Sequence, residues 1–260
     1  KNKLGDYDTF IGYDAGYYAT ASYNTFVGSM AGRGSSSLAT GDSNVAIGKQ
    51  AMYSFQSAGT NIAVGSGALY SLTTGTRNVA IGNTAGYHLT TGNPLGNVYV
   101  GNAAGYYNET GAGNVYVGYL AGQGASGNSN AKNIGVGYQA LTSITTGANN
   151  NAIGGGAGQN VTTGEYNILI GADAGNVMTT TGNVIAIGRN AGDNINSTDA
   201  NGTVLVGIYA GTAITSGIGN TALGFESLKA AATSDYNTAI GYQSLLAANG
   251  DGNQGNTALG

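Results

Sequence analysis

Fifteen times along the chain an aliphatic residue is followed by a glycine, usually within Asn-x-x-aliphatic-Gly, and the spacing between copies is nearly constant. The anchor glycines are Gly12, Gly28, Gly48, Gly65, Gly82, Gly101, Gly118, Gly137, Gly154, Gly171, Gly188, Gly207, Gly224, Gly241 and Gly260. Eight of the fourteen spacings are 17 and four are 19, with one 16 and one 20. A fixed period of this length marks a chain built from stacked repeats, each of which packs on its neighbours. Lengths that differ mostly by two read as loop insertions between constant segments.

The columns of this alignment say what the repeat is made of. One residue before the anchor stands Ile, Val or Leu in every copy, as in Ile47, Val64, Ile81, Val100, Val117 and Val136. Three before, it is Val, Ile or Thr in all but Asn151. These two positions share one face of a strand, because side chains alternate with period two, and branched residues there favour a pleated backbone. Four before, Asn fills twelve copies, among them Asn44, Asn61, Asn78, Asn97, Asn114 and Asn133, while Asp8, Val184 and Thr203 break the column. Asn stacked on Asn can form an amide ladder, each side chain donating and accepting along the stack. Three after the anchor comes Ala or Ser, then Gly in nine copies and Leu or Met in the others. Several glycines per repeat exclude a helix, since each costs about 1 kcal/mol relative to Ala.

The expectation is therefore all-β: a parallel β-solenoid (β-roll) of about 15 coils with a 17–19-residue period, one continuous repeat domain over residues 1–260. The Ile/Val columns are expected to fill the coil as an apolar seam. The residue two before the anchor would then point outward. It is Ala eight times and otherwise Phe10, Phe26, Tyr99, Tyr116, Leu169, Leu205 or Gly135, never charged. A strand apolar on both faces is expected to be covered on both, so this column predicts lateral association, most simply as a homotrimer.

"SNVAIG" (Ser43 to Gly48), "RNVAIG" (Arg77 to Gly82) and "YNTAIG" (Tyr236 to Gly241) resemble the head repeats of trimeric autotransporter adhesins. "NTALGFESL" (Asn220 to Leu228) and "NTAIGYQSL" (Asn237 to Leu245) are similar to repeats of phage-type tail fibres. The resemblance covers nearly the whole chain. It implies a left-handed parallel β-roll, three chains side by side, and an extracellular, cell-surface or virion setting. The function it implies is a structural or adhesive fibre segment. The open end of the final copy at Gly260 suggests either an excerpt of a longer fibre or subunits joined head to tail into a filament.

Chemistry at specific residues is sparse. The eight Lys and Arg never cluster, which argues against a nucleic-acid partner, and no apolar run reaches the ~18 residues of a membrane-inserted span. Gly122–Gly127 and Gly250–Gly255 match Gly-x-Gly-x-x-Gly but neither opens a helix of a βαβ unit. No aspartate recurs in register to bind calcium, and His88 is the sole histidine. Asp173 and Glu226 share a column three coils apart, too far for a glycosidase pair, while Asp173 and Asp193 lie in successive coils. No cofactor, metal or enzymatic activity is expected. Tyr53, Tyr70, Tyr87 and Tyr106, with Tyr17 earlier, share the column five after the anchor. Such a row can stack on sugars of a surface polysaccharide; the competing reading is an aromatic ladder that seals an edge of the coil. Asn108, Asn160, Asn196 and Asn201 carry glycosylation sequons. Thr-Thr-Gly turns, as at Thr73–Gly75, offer threonine rows of the kind that order ice, but in only about half the copies.

Overall fold

A computed structural model describes residues 6–35, 39–91, 96–246 and 255–260. It is an all-β parallel solenoid of 15 three-residue strands and about 14 turns. Among the described residues the one helical element is a 3₁₀ turn at Thr198–Ala200. None of them forms a helix long and apolar enough to cross a membrane. The chain falls into two compact units, Lys1–Lys132 and Asn133–Gly260.

The first unit holds β1 (Thr9–Ile11), β2 (Thr25–Val27), β3 (Val45–Ile47), β4 (Ile62–Val64), β5 (Val79–Ile81), β6 (Val98–Val100) and β7 (Val115–Val117). The second holds β8 (Ile134–Val136), β9 (Asn151–Ile153), β10 (Ile168–Ile170), β11 (Ile185–Ile187), β12 (Val204–Val206), β13 (Thr221–Leu223), β14 (Thr238–Ile240) and β15 (Thr257–Leu259). Within each unit successive strands pair in parallel and in register, each column position over its counterpart. Val45 lies opposite Ile62, Ala46 opposite Ala63 and Ile47 opposite Val64. The bonding continues past the strands into the turns, as in Met52 N to Ala68 O (2.9 Å) and Thr73 N to Thr90 O (2.8 Å). Three-residue strands suffice because the whole coil, turns included, is tied to the next.

The orientation of the strands overturns one expectation. The Ile/Val columns face outward and the residue two before the anchor faces in. Ala46 and Ala80 are fully buried, whereas Ile47 and Ile81 are 40 % and 42 % exposed. The physical reason lies in the asparagines. Alternation puts the Asn column on the same face as the residue two before the anchor, and Asn44, Asn61, Asn78 and Asn97 are buried. With the amide row on the inner face of the strand, the two branched strand residues of each coil are left to the outer face.

Of two inner positions, two before and four after the anchor, no more than one holds a bulky side chain in any coil. Phe26, Tyr99, Tyr116, Leu169 and Leu205, two before an anchor, are buried, and the residue four after that anchor is then Gly32, Gly105, Gly122, Gly175 or Gly211. A Cβ on Gly32 would lie 2.3 Å from the Phe26 ring, and one on Gly122 2.3 Å from the Tyr116 ring. In the coils of Ala46, Ala63, Gly135 and Ala222 the second position is instead buried Met52, Leu69, Leu141 or Leu228, while the coils of Ala80, Ala152 and Ala186 have glycine there (Gly86, Gly158, Gly192). A third buried column, seven after the anchor, supplies Phe55, Leu72, Leu89, Ile144, Val161 and Met178. The first unit's core mixes aliphatic and aromatic side chains, with Phe10 stacked on Phe26 at 5.1 Å and Tyr99 on Tyr116 at 5.9 Å. The second unit's is aliphatic.

Candidate functional site: the tyrosine row and the outer strand face

The asparagine column is the polar spine of each coil. Asn61 donates from N and Nδ2 to Asn44 Oδ1 (3.0 and 3.1 Å), and its own Oδ1 accepts from Asn78 N and Nδ2 (2.9 and 3.0 Å). Its Nδ2 also donates to the carbonyl of Gly75 (2.9 Å). Each amide thus uses both donors and both lone pairs, which is what a buried amide requires. In the first unit the row runs from Asn24 through Asn44, Asn61, Asn78 and Asn97 to Asn114. In the second it links Asn133, Asn150 and Asn167, is interrupted at Val184 and Thr203, and resumes from Asn220 through Asn237 to Asn256. Val100, Val117 and Val136, like Val64, stand half-exposed on the outer strand face beside this spine. The Thr-Thr-Gly turns are accounted for too: Thr73 Oγ1 donates to Thr90 O at 2.8 Å, and Thr162 Oγ1 to Thr179 O at 3.1 Å.

Five residues past the anchors, the first unit carries a continuous surface row. Tyr53, Tyr70, Tyr87 and Tyr106 stack nearly parallel, with centroids 4.9, 4.7 and 5.3 Å apart and planes inclined by 2°, 5° and 14°. Arg33 continues the row, its guanidinium 5.5 Å from the Tyr53 centroid and 5.6 Å from that of Tyr17. His88 packs edge-on against Tyr87 and Tyr106 and stacks on Tyr107 at 5.0 Å. Both faces of Tyr70 and Tyr87 are therefore occupied by neighbouring rings. What these two rings present outward is edges and hydroxyls, whereas stacking on a sugar uses a face. Burial, with the Tyr70 and Tyr106 hydroxyls close by, pushes the Tyr87 phenol above its ordinary value.

The remaining candidates are dispersed or already bonded. Both oxygens of Glu226 are engaged, Oε1 by Lys229 Nζ (2.6 Å) and Oε2 by Gln243 Nε2 (2.8 Å), and the Lys229 hydrogen bond foremost holds its carboxyl below the usual range. Burial pushes the Asp193 carboxyl up, against the hydrogen bond from Asn190 Nδ2 (3.2 Å), and the Asp173 charge adds to the rise. Asp173 Oδ1 accepts from Asn176 Nδ2 (3.4 Å). Among the described residues, no three His, Cys, Asp or Glu side chains come together as a metal site. Gly122–Gly127 lies in a turn that opens no helix, and Gly250–Gly255 falls almost wholly outside the described residues. Of the sequons, Asn160, Asn196 and Asn201 are exposed, but Asn108 is buried, donating from Nδ2 to the Tyr99 hydroxyl (2.7 Å). An acceptor so enclosed cannot take a glycan in the folded chain.

The outer strand face is an exposed apolar surface. Along β3 to β5 it presents Val45, Ile47, Ile62, Val64, Val79 and Ile81, all half-exposed or exposed and without a charge among them. The second unit repeats it with Ile134, Ile153, Leu223 and Ile240, each more than a third exposed. Sequence reasoning placed these residues inside; the size limit shared by the two inner columns was the signal that could have turned them outward. No protein-family model, curated protein or solved structure matches the chain.

Proposed function

We propose that the chain is a structural and adhesive segment of an extracellular fibre, in which copies associate side by side through the outer strand faces. The setting would be a cell-surface adhesin, a virion tail fibre or an extracellular filament. The resemblance to adhesin-head and tail-fibre repeats points to three chains and left-handed winding. The single observation carrying this reading is the division of labour within the strand. Its inner face is consumed by contacts between coils, while its outer face offers uncharged Val, Ile and Leu in register from coil to coil. Contiguous exposed apolar surface of this kind marks a contact surface. Direct grip of a glycan by the tyrosine row draws less support, because Tyr70 and Tyr87 have no free ring face.

Light scattering coupled to size exclusion tests the proposal. The expected result is a discrete oligomer that dissociates when Ile47→Lys and Ile81→Lys are combined, with the β circular dichroism retained. A wild-type chain that stays monomeric at tens of micromolar would overturn it.

A further inference from the structure

We propose that Tyr53, Tyr70, Tyr87 and Tyr106 form a site of oxidative cross-linking, at which adjacent coils become joined by dityrosine bonds. Three observations lead there. The rings are stacked, 4.7–5.3 Å between centroids, and each is half-exposed, so an oxidant reaches the hydroxyl edges. The coils bearing them are pinned to one another, with Ser54 N bonded to Tyr70 O, Ser71 N to Tyr87 O and His88 N to Tyr106 O, each at 3.0 Å. A radical formed on one ring is thereby held against a second phenol. Finally, no cysteine is present, so disulfides cannot join the coils.

The co-reactant is hydrogen peroxide acting through a haem peroxidase. Two phenols each give up one electron and the hydroxyl proton, and the peroxide is reduced to two waters. The two phenoxyl radicals couple through ring carbons ortho to oxygen, and the ortho protons shift to the oxygens, restoring both aromatic rings. The net change is loss of two hydrogens per link. Coupling requires the stacked rings to tilt toward each other, a freedom that half-exposed side chains at a coil surface have. Tyr99 and Tyr116 supply an internal contrast: they also stack, at 5.9 Å, but are fully buried, and the Tyr99 hydroxyl is held by Asn108.

The test treats the full chain with horseradish peroxidase and hydrogen peroxide, then reads dityrosine fluorescence and maps the links by mass spectrometry. Expected are intrachain links joining Tyr53 to Tyr70, Tyr70 to Tyr87 and Tyr87 to Tyr106, none at Tyr99 or Tyr116, and a raised thermal midpoint. Tyr70→Phe with Tyr87→Phe, which keeps the stacking and the fold, is expected to lose most of the signal. Fluorescence unchanged in that variant, links mainly through exposed Tyr13, Tyr119 or Tyr242, or no dityrosine at all would each overturn the proposal.

Discussion

At the anchor glycines two constraints coincide. Gly48 has φ +131°, and a Cβ there would sit 2.6 Å from the carbonyl oxygen of Gly65 in the next coil. The same close approach recurs from coil to coil within each unit, so the column admits no side chain for reasons of both angle and space. Gly127 is also left-handed, at φ +83°, but has nothing within 4 Å of its missing Cβ. Gly48→Ala should therefore cost about 3 kcal/mol or more, and Gly127→Ala only about 1 kcal/mol, in urea denaturation. Equal losses would show that the angle alone matters. Elsewhere the coil imposes left-handed backbone on residues that resist it: Thr60, β-branched, has φ 56°, and Leu69 has φ 49°. These residues are positioned by their neighbours above and below, which is why local propensity was a poor guide to them.

At the scale of the single coil, the rule is that a bulky residue stands at no more than one of two inner positions. Ala63 and Leu69 belong to one coil, and the leucine fills the space that a larger residue at the alanine position would need. Ala63→Leu alone should overpack the coil at a cost of about 1–3 kcal/mol, and Leu69→Gly alone should leave a cavity costing at least the 2–5 kcal/mol of a Leu→Ala change. Together they recreate the arrangement seen at Leu205 and Gly211, and the double variant should be more stable than the sum of the singles by about 0.5–3 kcal/mol. Strict additivity in a double-mutant cycle would refute the rule. The period, the parallel stacking and the column structure were legible in sequence because each is a repetition. Which face turned inward was not. Hydropathy ranks Ile47 above Ala46, yet the narrow interior selects by size, and that preference is visible only when two columns are compared copy by copy. The tyrosine row was found as a column; its mutual stacking depended on ring orientation, which spacing does not report.

For the molecule as a whole, buried phenols set an alkaline limit. Burial holds Tyr99 far above the ordinary tyrosine value, outweighing the hydrogen bonds from Asn108 and Asn114 that lower it. The unfolded chain releases this proton first, near pH 10. Below that pH both states keep the proton and this group adds no pH dependence; above it, stability falls as pH rises toward the folded-state value. Tyr87, also raised, acts in the same direction. Denaturation midpoints should hold steady to about pH 9 and drop beyond about pH 10. Tyr99→Phe should be less stable at neutral pH by about 1–3 kcal/mol, since Asn108 Nδ2 loses its acceptor, yet decline less steeply in alkali. An unchanged alkaline slope in that variant would place the limit elsewhere. The architecture could be read from repetition alone, whereas a partner leaves no repeating mark beyond an uncharged outer column.

The amide spine of the first unit also has a direction. From Asn44 to Asn114 each Nδ2 gives one N–H to the Oδ1 of the preceding coil, so the C=O groups of the row all point away from residue 8, while the second N–H goes to a main-chain carbonyl, as from Asn61 to Gly75. The backbone bonds of a parallel sheet run alternately both ways and largely cancel, as with Thr9 N to Asn24 O and Gly28 N to Ile11 O. The side-chain dipoles instead add, as peptide dipoles do along a helix. At the positive pole of this electret the column exchanges its neutral amide for the carboxylate of Asp8, whose Oδ1 accepts from Asn24 N at 2.8 Å. The one acidic departure from the asparagine column thus stands at the pole whose polarity suits an anion.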